Sequence, residues 1–206
     1  MHVSALPLFL VAATVLALTP GPGLFYVAAR TVAGGRAEGL ASAAGNGIGG
    51  LFHVMAGAVG VSALVMASAE AFAMLKLAGA LYLIWLGIKT FREASVTVTE
   101  LERTGTARAF RDGVLVEAFN PKTAAFFLAF IPQFIDPTHG VALQFATLGI
   151  ASVILNSLAD VGAVWAAWRT RAALVRRPGL VRRARQASGM VLCGLGLSLA
   201  LARRGQ

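Results

Sequence analysis

Long apolar runs, each close to the length of a membrane span, alternate along the chain with short clusters of arginine and other polar residues. Six runs stand out: Leu6 to Ala29, Gly39 to Met66, Ala71 to Phe91, Val114 to Ile135, Val141 to Trp168 and Ala187 to Ala202. A bilayer core of about 30 Å needs about 20 apolar residues per helix, which these runs approach. Alanine, leucine and glycine dominate them, and the alternation over about ten residues that marks a transmembrane strand is missing. The pattern predicts an all-α membrane protein with six transmembrane helices. The first run has no early lysine or arginine and continues through a proline motif with no small-residue cleavage site, so it reads as a helix, not a signal peptide.

Composition agrees: 57% of the 206 residues are hydrophobic and 13% charged, so lipid is the expected solvent for most of the chain. A net charge of +9 would suggest nucleic acid in a soluble protein, but here the arginines flank the apolar runs, as topology signals do. The connections after helices one, three and five hold Arg30 and Arg36, then Lys89, Arg92, Arg103, Arg108 and Arg111, then seven arginines between Arg169 and Arg185. The other side holds Lys76, Arg203 and Arg204. The positive-inside rule makes the first set cytoplasmic and puts both termini outside. Residues 170–186 carry no interleaved aromatics for base stacking, so they read as a topology determinant lying against anionic lipid, without nucleic acid. Cys193, the single cysteine, excludes an intrachain disulfide and reads as a packing residue.

The chain divides near its middle. Residues 1–91 form a first three-helix repeat, 92–112 a polar cytoplasmic linker with TVTELERTG at its centre, and 113–206 a second repeat. Thr19 and Pro20 are matched by Asn120 and Pro121, and AGALYLIWLG (78–87) is echoed by ASGMVLCGLG (187–196). Three is odd, so the second copy inserts upside down, and inverted repeats with an interrupted helix in each half mark secondary transporters. The interruptions are TPGPG (Thr19, Pro20, Gly21, Pro22, Gly23) and Asn120, Pro121 and Lys122. Backbone groups freed by proline are intolerable against hydrocarbon, so such breaks are expected to line a wet path; an ordinary kink is the plainer reading. The two breaks are expected to differ in depth, Asn120 lying about six to nine residues from the cytoplasmic end.

Few ionisable residues fall within the spans: His53, Glu117, Lys122 and Asp160. Glu117 reads as interfacial. Asn156 and Asp160 share a helix face, and Ala41, Gly45, Gly49, His53 and Gly57 form a small-residue ridge with Asn46 nearly on it. His53 and Asp160 are the candidates for proton coupling; the plainer readings are a packing histidine and an ion pair between Asp160 and Lys122. Such small-residue faces suit contacts within one subunit or between subunits of a homo-oligomer. GNGIGG (45–50) matches the dinucleotide fingerprint but follows no strand, so close helix packing explains it better. No phosphate-binding loop, nucleophile elbow or metal-ligand spacing is present, which leaves neither an enzyme nor a cofactor to propose.

Three segments carry a family resemblance: TPGPGLFYVAARTVAGGRAEGLASAAGNGIG, LKLAGALYLIWLGIKTFR and FRDGVLVEAFNPKTAAFFLAFIPQFIDP. The chain resembles the LysE/RhtB family of bacterial amino-acid exporters. The resemblance implies an inner-membrane protein that expels amino acids or related small zwitterionic metabolites using the proton gradient. It implies that Thr19, Pro20, Gly21 and Pro22, with Asn120, Pro121 and Lys122, are central to the pathway, and that Gln133 belongs to a family PQF segment. Many members have asparagine at the position of Gly23 and an acidic residue near Gly50, so the substrate is not implied. The alternatives are export of a metal ion or other small solute, a membrane scaffold or an intramembrane enzyme.

Overall fold

The structure, a computed structural model, describes residues 6–67, 69–92, 102–176 and 178–201. The linker's centre (93–101), Arg177, Arg203, Arg204 and both termini lie outside the described residues, and with them part of the topology prediction. The elements in chain order are α1 (Leu6–Leu18), α2 (Pro22–Ala67), α3 (Ala69–Arg92), α4 (Thr106–Ala118), α5 (Pro121–Ala125), α6 (Val141–Arg176) and α7 (Pro178–Leu201). α5 continues through a π-helical turn, Phe126–Phe130, and a 3₁₀ turn, Ile131–Phe134. Among the described residues all regular structure is helical.

The predicted first and second helices meet inside α2. Gly35 has φ 83° and ψ −172°, a conformation open to glycine without strain, and it divides the element into residues 22–34 and 36–67. Among the described residues four helices are long and apolar enough to cross a membrane, and there are five if α1 and Pro22–Gly60 of α2, bent by 44° across the break between them, count as one span.

α4 departs most from the sequence prediction. It starts at Thr106, inside the stretch read as linker, because its polar residues lie on one face: Arg108 and Arg111 pair with Asp112 at 3.5 and 3.6 Å. Ala109, Gly113 and Glu117, four residues apart, line its buried face. α1 and α4 are both 13 residues long before their breaks.

Small residues set the packing. A Cβ on Gly45 would lie 2.1 Å from the Phe110 carbonyl oxygen, and one on Gly49 would lie 2.6 Å from that of Val114, so the ridge on α2 seats against the backbone of α4. Gly87 and Gly189 bring α3 and α7 together in the same way, which packs the two echoing segments against each other. Gly45→Ala is expected to wedge α2 from α4 at a cost of about 1–3 kcal/mol, read as a lower Tm in detergent; an unchanged Tm would show that the contact is not tight.

The apolar core is aromatic. Phe9 meets Phe134 edge-on at 5.2 Å, and Phe126 stacks on Phe130 at 5.0 Å. The π turn, closed by i→i+5 bonds, is wider in cross-section than an α-helical turn, and it buries Phe126, Phe127 and Phe130 together. Met74, Leu77, Leu81 and Trp85 of α3 stay exposed, as lipid-facing side chains do.

A polar latch holds the start of α4. Gly105, its N-cap residue, has no side chain to cap the helix. Glu38 supplies the acceptor instead: its Oε1 takes the amides of Thr104 at 3.1 Å and Gly105 at 2.9 Å. Arg30 Nη1 lies 3.6 Å from Glu38 Oε2 and donates to the Glu102 carbonyl (3.1 Å) and the Thr104 hydroxyl (2.8 Å). Both charged side chains are buried. Arg30 therefore does more than signal topology: across Gly35 it ties the end of one helical segment to the start of the next and to the linker.

Candidate functional site

The two breaks face each other. Leu16 lies four residues before Pro20, which has no N–H to give, so the Leu16 carbonyl loses its helical donor. The Thr19 amide partly replaces it at 3.1 Å, while the Thr19 hydroxyl turns back onto the Val15 carbonyl at 2.6 Å. The other replacement comes from the second half of the chain: Lys122 Nζ donates to the Leu16 carbonyl at 3.1 Å and the Thr19 carbonyl at 3.0 Å. The ammonium thus sits at the C-terminal end of α1, where free carbonyls favour a cation.

On the other side, Asn120 caps α5 by accepting from the Lys122 amide at 3.0 Å. Its Nδ2 donates to Glu117 Oε2 at 2.8 Å, and Thr123 Oγ1 donates to Glu117 Oε1 at 2.6 Å. The Glu117 carbonyl ends α4 and receives the Asn120 amide at 3.0 Å and His53 Nε2 at 2.9 Å. A carbonyl only accepts, so this contact places a proton on Nε2.

Close approach requires the missing side chains of two glycines. A Cβ on Gly21 would lie 3.0 Å from Lys122 Cδ, and one on Gly23 would lie 2.4 Å from Glu117 Oε2 and 2.9 Å from Asn46 Nδ2. Opposite them Asn46 Nδ2 donates to Asp160 Oδ2 at 2.9 Å. These groups enclose a cavity of about 20 Å³, lined also by Asn156, Ser157, Gly47 and Gly50. That is room for about one water, so this conformation is closed to anything larger. Ala17 and Leu24 line both this cavity and an apolar groove of about 410 Å³ between α1, α2 and α6.

Of the residues singled out in the sequence, Asn46, Asn120, Lys122, Asn156 and Asp160 meet at this cavity, and Gly21 and Gly23 pack against its charged groups. Thr19 contributes its carbonyl. Pro20 and Pro121 shape the breaks; Pro22 is exposed as the first residue of α2, and Gln133 bonds back to the Ala129 carbonyl at 3.2 Å. His53 stands behind the cavity wall, against the Glu117 carbonyl and the Phe127 ring. The ion pair between Asp160 and Lys122 is not formed: Lys122 is held by carbonyls and Asp160 by an amide.

Glu117 corrects the sequence reading. It is buried, 7% exposed, at the centre of the polar cluster. α4 begins at Thr106, which puts Glu117 about 17 Å along the helix at 1.5 Å per residue. The spacing of Glu117, Asn120 and Thr123 at intervals of three was the legible signal.

Comparison with known proteins points the same way. The LysE type translocator family matches residues 14–203. The chain is 33% identical over 199 residues to the homoserine/homoserine lactone efflux protein of Salmonella typhimurium, covering 95% of each chain. It is 34% identical over 198 residues to an uncharacterized membrane protein of Vibrio cholerae, covering 95% of this chain and 96% of that one. A leucine efflux protein of Klebsiella pneumoniae is 32% identical over 141 residues, 65% of this chain and 66% of its own. No solved structure matches. With a match over nearly its whole length and interrupted helices meeting around a buried polar cluster, the chain belongs to the LysE type translocator family of multi-pass membrane proteins.

Proposed function

We propose that this protein is a secondary active exporter of amino acids or related small zwitterionic metabolites in the bacterial inner membrane, coupled to protons. The observation that carries the reading is the contact of Lys122 with the Leu16 and Thr19 carbonyls, which joins two interrupted helices over one closed polar cavity. A span broken in mid-membrane is tolerable where its freed backbone groups meet protein or water, and secondary transporters place substrate at such breaks. The substrate class comes from the relatives named for efflux of homoserine, homoserine lactone and leucine.

The reading includes six spans arranged as two inverted three-helix repeats, with both termini outside. Gly35 supports it by dividing α2, as do the equal lengths of α1 and α4 and the pairing of α3 with α7. In this scheme the structure is an occluded state. Parting Lys122 from α1 on one side, or Asn46 from Asp160 on the other, opens the cavity. Asp160 lines the cavity and is the first candidate proton carrier; His53 lies behind Glu117 and is the second.

The test is counterflow in proteoliposomes with a panel of labelled amino acids, with and without a pH gradient. Exchange of at least one of them, accelerated by the gradient, is the expected result. Uptake of none would overturn the reading.

A further inference from the structure

Around the cavity the Lys122, Asn120, Thr123 and Asn46 donors are each engaged, while an acceptor beside them is left open. Lys122 gives to two carbonyls, Asn120 Nδ2 and Thr123 Oγ1 give to Glu117, and Asn46 Nδ2 gives to Asp160. Asn46 Oδ1 is buried without a partner on a side chain only 4% exposed. The orientation of that amide is set by Asp160, because only its NH₂ end can face a carboxylate. Asp160 Oδ2 is taken by Asn46, and no donor among the described residues reaches Oδ1. A buried acceptor left open beside a carboxylate, in a cavity of about 20 Å³, is matched by a small cationic donor.

We propose that Asn46 and Asp160 form an ammonium subsite, so that this carrier recognises its ligand through a primary amine and does not need the ligand's carboxylate. The inference rests on the export reading above and deepens it. Charge supports it: the wall holds Glu117 and Asp160 against the single cation Lys122, so an arriving ammonium balances the site. A ligand carboxylate would instead have to displace Lys122 from the Leu16 and Thr19 carbonyls. Shape supports it as well. An –NH₃⁺ group is close to the size of a water, so it suits the closed cavity, and the remainder of the ligand is taken up when the cavity opens. The accepted class is therefore amino acids together with derivatives whose carboxyl is closed as an amide, ester or lactone. Amino acids blocked at nitrogen fall outside it.

Ligand binding to the full-length wild-type protein in detergent tests this, read as thermal stabilisation by three parallel sets: the free amino acids, their amides and their N-acetyl derivatives. Free and amidated forms are expected to stabilise alike, and acetylation to weaken binding by at least about tenfold, the loss of a hydrogen bond to a charged group. Equal binding of an N-acetyl form, or loss of binding on amidation, overturns the proposal. Stabilisation by nothing in any set overturns the export reading together with the subsite, so the two failures look different. In Asn46→Ala the preference for a free amine is expected to shrink to less than about threefold as one acceptor is lost. The ligand series on the wild-type chain decides the question even if that variant does not fold.

Discussion

Lys122→Met is expected to reduce export to about one hundredth or less while changing stability little. The ammonium donates two charge-assisted hydrogen bonds across the breaks, and at about 1.5 kcal/mol or more each, their loss shifts the balance between closed and open states by at least about a hundredfold. A carrier that cannot close cannot complete its cycle. Stability responds differently because two effects oppose. Methionine relieves the cost of burying an ammonium, 4% exposed, that has no carboxylate within ion-pairing distance. It also leaves the Thr19 carbonyl without that donor and the charges of Glu117 and Asp160 uncompensated, so the net change is expected to stay within about 2 kcal/mol. Counterflow together with Tm in the same detergent separates the two effects. Wild-type exchange by Lys122→Met would dismiss the bridge as a working part. Lys122→Arg is expected to fail as well, because a planar guanidinium fork does not reproduce the single ammonium held between the Leu16 and Thr19 carbonyls.

Glu38→Ala is the change expected to destabilise most. It removes the acceptor for the Thr104 and Gly105 amides and strands the Arg30 guanidinium, itself only 5% exposed. Breaking a buried pair from one side costs about 3–5 kcal/mol because the surviving charge has nowhere to go. The double variant Arg30→Ala/Glu38→Ala removes that stranded charge and is expected to recover at least about 1 kcal/mol relative to additivity. A double-mutant cycle on Tm or denaturant midpoint measures it. Additive losses, or a Glu38→Ala protein as stable as wild type, would reduce the latch to an incidental contact.

What was legible in the sequence follows the range of each signal. Prolines and glycines act on their own neighbourhood, so both breaks could be read directly, and the spacing of four in Gly45, Gly49 and His53 showed a packing face whichever helix it met. Thr106 to Asp112 misled because a polar face on an amphipathic helix has the same composition as a linker. Glu117 was placed too near the surface for the same reason. The latch had no local signature: Arg30 meets Thr104 across 74 positions, and an arginine beside an apolar run looks the same whether it faces headgroups or a buried glutamate. Which break Lys122 would serve depended on two halves meeting, and that is tertiary information.

The π-helical turn at Phe126–Phe130 carries a consequence for how this region tolerates change. It holds one residue more than an ordinary turn, so the chain beyond it runs out of phase with the chain before it. Excising a single residue there would restore the common repeat and rotate everything downstream by about 100°, carrying Phe134 away from Phe9. Side-chain exchange within this aromatic knot is a local matter, whereas a change in its length is a frameshift of the fold itself.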